Sequence, residues 1–169
     1  MSEDDVKRAQ QGNKESLSKI ISENVTGLYR IAFAITGNEE NSKDAIGNTT
    51  LKVCEKIKAL KNPIFFKTWI TRILINECNN IIKSKKKLTT IDNIEEMSTE
   101  DLSLEKFAVK DVINKLHKNY RDILILYYFN DFSIKEISII LNIAEGTVKS
   151  RLSRAREEFK MYYIEKEEV

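Results

Sequence analysis

One proline and five glycines in 169 residues leave little with which to punctuate a strand-and-turn architecture. Strands need β-branched alternation broken by Gly and Pro. Here the apolar residues recur instead with a 3.6-residue period over long stretches, which predicts an all-α fold. A single histidine, His117, and two cysteines, Cys54 and Cys78, with no Cys-x-x-Cys or Cys/His grouping, cannot complete a metal site. Both cysteines are expected to be packing residues in a reducing compartment. No run of about 18 apolar residues occurs, so no helical membrane span is expected. The opening MSEDDVKRAQQG is acidic and polar where a signal peptide would be basic and then apolar, and a cytoplasmic protein is expected. Paired catalytic carboxylates, a nucleophile beside a base and a phosphate-cradling glycine loop are all missing, so neither an enzyme nor a cofactor is expected. A nuclease built on Glu77 and His117 would need residues from different domains with no convergent partners.

An excess of one charge is also lacking, since 28 cations against 26 anions leave only +2. The sum conceals local polarity. Lys83, Lys85, Lys86 and Lys87 crowd together, and the following stretch, 88–105, has no cation but carries Asp92, Glu95, Glu96, Glu100, Asp101 and Glu105. Its sparse apolar residues and one-signed charge cannot offset the entropy of ordering, which predicts a flexible acidic linker. Two small helical domains, 1–87 and 106–169, are expected on either side.

In the first domain Asn13 can cap a helix whose Leu17, Ile20, Ile21, Val25, Leu28, Ile31, Ala32 and Ile35 share a stripe until Gly37 stops it. A second helix begins near Asn41 and carries Ala45, Ile46, Leu51, Val53, Cys54 and Ile57. The lone Pro63 marks a short loop, Lys61 to Phe65. A third helix, Phe66 to about Lys83, offers Trp69, Ile70, Ile73, Leu74, Cys78, Ile81 and Ile82 to a core. In the second domain Val109, Val112, Ile113 and Leu116 form one stripe, and Ile123, Leu124, Leu126, Tyr127 and Tyr128 another.

The most informative stretch is FSIKEISIILNIAEGTVKSRLSRAREEF, from Phe132 to Phe159. Ser133 can accept the amide of Glu136 while the Glu136 carboxylate returns to Ser133, a reciprocal capping box that starts a helix at a defined residue. Ile134, Ile137, Ile140 and Leu141 share its buried face. After an Asn142-Ile143-Ala144 turn, Val148, Leu152 and Ala155 pin a second helix against the first and turn Lys149, Arg151, Arg154 and Arg156 toward solvent. Capping box, turn and one-sided basic helix occur together at the spacing of a DNA-reading helix-turn-helix.

LYRIAFAITGN (Leu28 to Asn38), FKTWITRILINECNNIIKSKK (Phe66 to Lys86) and SIKEISIILNIAEGTVKSRLSRAR (Ser133 to Arg156) are similar, in that order, to the most recognisable stretches of the extracytoplasmic-function sigma factors of the sigma-70 family. The resemblance covers nearly the whole chain, and the Lys-Asn-Pro loop before FKTW further resembles a cell-envelope-stress branch. It implies a promoter-specificity subunit that binds bacterial core RNA polymerase and promoter DNA and is held by an anti-sigma factor, often membrane-anchored, without itself inserting into the membrane. By that likeness Lys149, Ser150 and Arg154 face bases or adjacent phosphates of the −35 element, with Arg151 and Arg156 on phosphates or the domain surface. Arg154 is the preferred base reader. Ala144 stands where a capping hydroxyl would help, so the free amides of that helix meet either a phosphate or water.

For the −10 element the loop Lys61 to Phe65, with Lys61 and Asn62 as its polar residues, is expected to form the lip of a base-holding pocket, and the resemblance implies that Trp69, Asn76 and Asn80 belong to the recognition helix. Trp69 has two readings, core residue or platform beneath the strand. Lys83 and its neighbouring lysines either hold phosphates or simply end a soluble helix. Polymerase docking falls on Asp44, Gly47 and Asn48, where only Asp44 keeps the family's residue type. Gly47 costs about 1 kcal/mol of helix stability relative to Ala, in return for a close helix approach or at the expense of a weaker site. The competing function is a free-standing dimeric helix-turn-helix regulator, which would bind two half-sites about one helical turn apart.

Overall fold

The computed structural model of the chain describes residues 2–88, 112–113 and 115–167. Two compact units, Met1–Ile94 and Glu95–Val169, divide it. No strand occurs among the described residues. The expected linker lies outside them except for Leu88, as do Val109 and the expected start of the second domain at Lys106.

The first unit opens with a helix that sequence periodicity alone does not pick out, α1, Glu3–Gln10. Ser2 caps it by accepting the Asp5 amide at 3.2 Å. Glu3, Asp4 and Asp5 lie in the first turn and Lys7 and Arg8 in the last, so the charges complement the helix dipole. Only Val6 and Ala9 are buried apolar residues here. α2, Lys14–Thr36, starts as expected with the Asn13 side chain accepting the Ser16 amide at 2.8 Å. It ends at Gly37, whose φ of 81° is left-handed and whose amide returns to Phe33 O. Ile20, Leu28, Ile31, Ala32 and Ile35 are buried, whereas Val25 is exposed.

α3, Glu39–Lys56, begins two residues ahead of the expected start because Asn38 supplies the cap, accepting the Asn41 amide at 2.8 Å. Its inward face consists largely of small residues, Ser42, Ala45, Thr49 and Val53. Small side chains let α2 and α4 lie close, and the Thr49 hydroxyl is satisfied by donating to Ala45 O at 2.7 Å. Two expectations are corrected as a result. Leu51 is 63% exposed instead of core, and Cys54 is exposed, so only Cys78 is a packing residue.

Single 3-10 turns, Ile57–Ala59 and Pro63–Phe65, lead into α4, Phe66–Leu88, which runs five residues past its expected end at Lys83. Phe66, Ile70, Leu74, Ile75 and Cys78 fill the core. Burying side chains of this size contributes about 1.5–3 kcal/mol each relative to exposure. α2, α3 and α4 pack mutually, and α1 lies against α2 and both 3-10 turns.

In the second unit Val112, Ile113 and Leu116 are buried. α5, Lys118–Leu124, is capped by His117, whose Nδ1 accepts the Asn119 amide at 3.3 Å. A π turn, Ile125–Phe129, extends it. Asn130 fastens the turn by donating Nδ2 to Ile125 O at 3.1 Å, and the Phe132 amide donates to Leu126 O at 3.1 Å. Ile123 to Leu126 face inward while Tyr128 and Phe129 are exposed, so the expected tyrosine stripe is core only at its aliphatic end. α6, Ile134–Leu141, and α7, Glu145–Glu167, complete the unit.

Candidate nucleic-acid interface

The helix-turn-helix is assembled from α6 and α7. Ser133 Oγ accepts the Glu136 amide at 3.3 Å, and Glu136 Oε2 accepts the Ser133 amide at 2.9 Å and its hydroxyl at 2.7 Å. Asn142, at φ 54°, ends α6 in the left-handed region and returns its amide to Ser138 O. This conformation suits asparagine and turns the chain sharply. Ile137 and Ile140 of α6 and Val148, Leu152 and Ala155 of α7 are all buried, and the two helices pack together.

At 3.6 residues per turn, Ser150 and Arg154 lie opposite the buried stripe of α7 with Lys149 beside them, and all three are exposed. Arg151 and Arg156 fall at the two edges of that face. Ser150 donates its hydroxyl to Thr147 O at 3.1 Å, so its remaining capacity toward a ligand is as an acceptor. Arg156 is engaged elsewhere, donating Nε to the Tyr128 hydroxyl at 2.7 Å. Ala144 caps α7 without a side-chain oxygen and supplies only its carbonyl, to Val148 N at 3.0 Å.

A second polar face lies in the first unit. Trp69, Asn76, Asn80 and Lys83 are spaced by seven, four and three, which places them on one stripe of α4. Asn76, Asn80 and Lys83 are exposed and Trp69 half-buried. Phe66 lies under Trp69, with ring centroids 6.1 Å apart, so the indole meets the core on one side and solvent on the other. The side chains of Lys86 and Lys87 are outside the described residues.

Lys61 and Asn62 are exposed at the start of the loop. Asn62 Oδ1 accepts the Ile64 amide at 3.1 Å, which uses its oxygen for the turn and leaves its NH₂ as the group open to a base. Ile64 and Phe65 are 58% and 45% exposed. Sequence reasoning includes both in the lip of the base-holding loop and gives neither side chain a contact of its own. Two large apolar residues directly beside the lone proline are the signal that could have found them.

On α3, Asp44, Gly47 and Asn48 are exposed and line a shallow groove of ≈ 660 Å³ with Lys43, Thr50, Leu51 and Ile81. A Cβ at Gly47 would meet nothing within 4 Å. Close helix approach therefore does not account for this glycine. Lys43 pairs with Glu39 at 2.6 Å, which holds its ammonium pKa above the ordinary lysine value.

The residues considered for nuclease chemistry have other partners. Glu77 is buried and hydrogen-bonded to Lys52 Nζ, and His117 caps α5 in the other unit. No group of three or more potential metal ligands occurs among the described residues. None of their helices is long and apolar enough to cross a membrane.

Known families match a stretch of each unit. The family described as Sigma-70 region 2 matches residues 20–88, and that described as Sigma-70, region 4, matches residues 106–159. RNA polymerase sigma factor SigV of Bacillus subtilis (strain 168) is 26% identical over 151 residues, covering 88% of this chain and 91% of the relative. ECF RNA polymerase sigma factor SigW of the same organism is 27% identical over 171 residues, covering 90% and 91%. Among solved structures, the sigma factor RpoE of Bartonella quintana, in complex with the anti-sigma factor NepR, matches with a TM-score of 0.74 at 22% identity, over 86% of this chain and 94% of that one. That likeness is one of fold.

Proposed function

The chain belongs to the sigma-70 family, as a member of its extracytoplasmic-function type, and from that premise we propose that it binds bacterial core RNA polymerase and directs promoter-specific initiation by reading a −35 duplex and capturing an unpaired −10 strand. The observation that carries this reading is the presence in one chain of two different polar faces: a cationic helix held by a helix-turn-helix, and an amide-bearing stripe on α4 beside an exposed loop. Domains 1–87 and 106–169, joined by the acidic segment 88–105, carry one face each.

The α7 face suits paired DNA. A guanidinium at Arg154 can donate two parallel bonds to guanine O6 and N7, whereas Lys149 needs only a phosphate. Arg151 and Arg156 flank it at the domain surface. Asn76 and Asn80 can each donate to and accept from an unstacked base, and half-buried Trp69 offers a ring edge alongside. Lys61, Asn62 and Lys83 would hold the displaced strand at the loop and helix end. Asp44, Gly47 and Asn48 form the polymerase-facing groove. Polymerase makes and breaks the bonds; this chain chooses where.

An anti-sigma factor would control it by covering its polymerase-binding surfaces; the Bartonella quintana sigma factor is itself solved in complex with an anti-sigma factor. Likeness to SigV and the Lys-Asn-Pro loop support an envelope-stress role, with the protein in the cytoplasm and its anti-sigma factor anchored at the inner face of the membrane. A free-standing dimeric regulator would account for residues 106–159 and leave the match over 20–88 without a role. Run-off transcription with purified core polymerase over a genomic promoter library tests the proposal. Start sites preceded by two different, separated elements support it, and no polymerase-dependent transcript would refute it.

A further inference from the structure

Gln10, the last residue of α1, reaches across the first unit to a segment far along the chain. Its Nε2 donates to Ile57 O at 3.0 Å and to Leu60 O at 2.7 Å. A side-chain amide has two hydrogens, and both are used. The acceptors sit at either end of the 3-10 turn that follows α3, where Ile57 O also accepts the Leu60 amide at 3.2 Å. One planar group thus spans the turn and sets the spacing and direction of both carbonyls. α1 is itself seated by buried Val6 and Ala9 and by the Asp5 pair to Lys19 of α2. The strut therefore stands on a fixed base.

What leaves the braced turn is the loop that presents Lys61 and Asn62. Leu60 is buried, the next two residues are exposed, and the chain is fixed again where Asn62 Oδ1 accepts the Ile64 amide. Lys61, Asn62 and Pro63 lie between Leu60 and Ile64. We infer that Gln10 is a positioning residue for strand opening, holding the Ile57 and Leu60 carbonyls so that the loop Lys61–Phe65 is already shaped to receive an unstacked base. This deepens the sigma-factor reading and rests on it. A preformed receptor matters because extruding a base from the stack is unfavourable, and a loop that must also be ordered adds to that cost. Gln10 does not touch DNA in this account; it acts through the backbone it grips.

The test uses holoenzyme assembled from core polymerase and the full-length chain, with 2-aminopurine in the −10 element reporting unstacking. Gln10→Leu keeps the volume and removes both donors, and Gln11→Leu, at the exposed neighbouring position, is the control. Gln10→Leu is expected to lower the open-complex equilibrium on the order of tenfold, the scale of two ordinary hydrogen bonds. Core affinity and closed-complex affinity should stay at control values, the thermal midpoint should fall by no more than two lost hydrogen bonds account for, and amide exchange should rise at Lys61, Asn62, Ile64 and Phe65. Open-complex formation equal to that of the control overturns the inference while leaving the sigma-factor reading intact. Loss of core binding and thermal midpoint together with melting overturns it as well, by making Gln10 merely structural. If the unaltered chain opens no promoter, the sigma-factor reading fails and the inference falls with it.

Discussion

Arg156 Nε donates to the Tyr128 hydroxyl at 2.7 Å, and the guanidinium lies 5.6 Å from the ring centroids of both Tyr127 and Tyr128. The contact ties α7 to the π turn that ends α5, joining the basic helix to the body of its unit. These partners occupy Nε and hold the guanidinium against the two tyrosine rings, at the edge of the α7 face. Arg156→Ala is therefore expected to reduce the stability of the second unit by about 0.5–1 kcal/mol, the scale of an exposed cation–π contact, and to leave −35 base preference unchanged. Urea unfolding and promoter-variant binding should separate the two effects, and Tyr128→Phe should reproduce part of the first. A change of base preference in Arg156→Ala would return this arginine to the DNA face.

Arg154 and Lys149 are both exposed on the outward side of α7, yet their chemistry predicts different failures. Arg154→Ala should lose about 1–3 kcal/mol at one −35 position and discriminate poorly there. Lys149→Ala should weaken holoenzyme binding evenly across sequences and lower the salt dependence by about one counterion. Holoenzyme titrations on single-base −35 variants at several salt concentrations measure both. An even loss from Arg154→Ala would demote it to a phosphate contact.

Gly47 gives a test of the docking groove. It sits inside α3, and a Cβ at this position would have no neighbour within 4 Å, so a side chain can be added without a clash. Gly47→Gln is expected to stabilise the first unit by about 0.5–1 kcal/mol through helix propensity. If the missing side chain weakens docking, the same substitution tightens binding to core polymerase, measurable by fluorescence anisotropy. Weaker binding from a more stable protein would mean that the open groove itself receives a polymerase side chain.

The features legible in the sequence were those with a strong local signal. Asn13, Gly37 and the Ser133–Glu136 box are short-range hydrogen-bond devices, and each ends or starts a helix where its residue type requires. The stripe Val148, Leu152, Ala155 was equally readable, because long apolar periodicity leaves one choice of buried face. α1 escapes a reading by periodicity since two apolar residues make too short a stripe; its signal is Ser2 followed by acids and then Lys7 and Arg8. Leu51 and Cys54 are misplaced by the same reading because α3 packs through Ser42, Ala45 and Thr49, and counting apolar residues undervalues a small-residue contact face. Gln10 to Leu60 and Arg156 to Tyr128 are long-range polar contacts that no spacing rule encodes.

Asp5 links stability to pH. It is buried, and hydrogen bonds from Lys19 first, then Ser2 and Arg8, hold its carboxyl well below the ordinary aspartate range. A folded-state pKa below the unfolded one means that the stabilisation is fully present above the ordinary aspartate value and is lost as pH falls below it toward the folded value. Asp5→Asn should therefore lower the urea midpoint of the first unit at about pH 7, with the gap to the unaltered chain narrowing as the pH falls below about 4. A gap of constant size through the acid range would show that Asp5 acts by shape and not by charge.

Ala144 distinguishes a helix end that meets DNA from one that merely frays. It caps α7 with a carbonyl alone, so the first amides of the helix lack a side-chain acceptor at that position. Ala144→Ser and Ala144→Asp should each stabilise the second unit by about 0.5–2 kcal/mol, since both oxygens can accept those amides. Their effects on promoter binding should then diverge. If a phosphate occupies the helix end, as the positive end of the dipole favours, the Asp carboxylate repels it and holoenzyme affinity falls, while Ser is close to neutral. If the end faces only water, the two variants bind promoter alike and differ from the unaltered chain solely in stability. Parallel thermal unfolding and holoenzyme titration decide between the two, with the salt dependence of the Asp variant as the sharper reading because a lost phosphate contact lowers the number of counterions released.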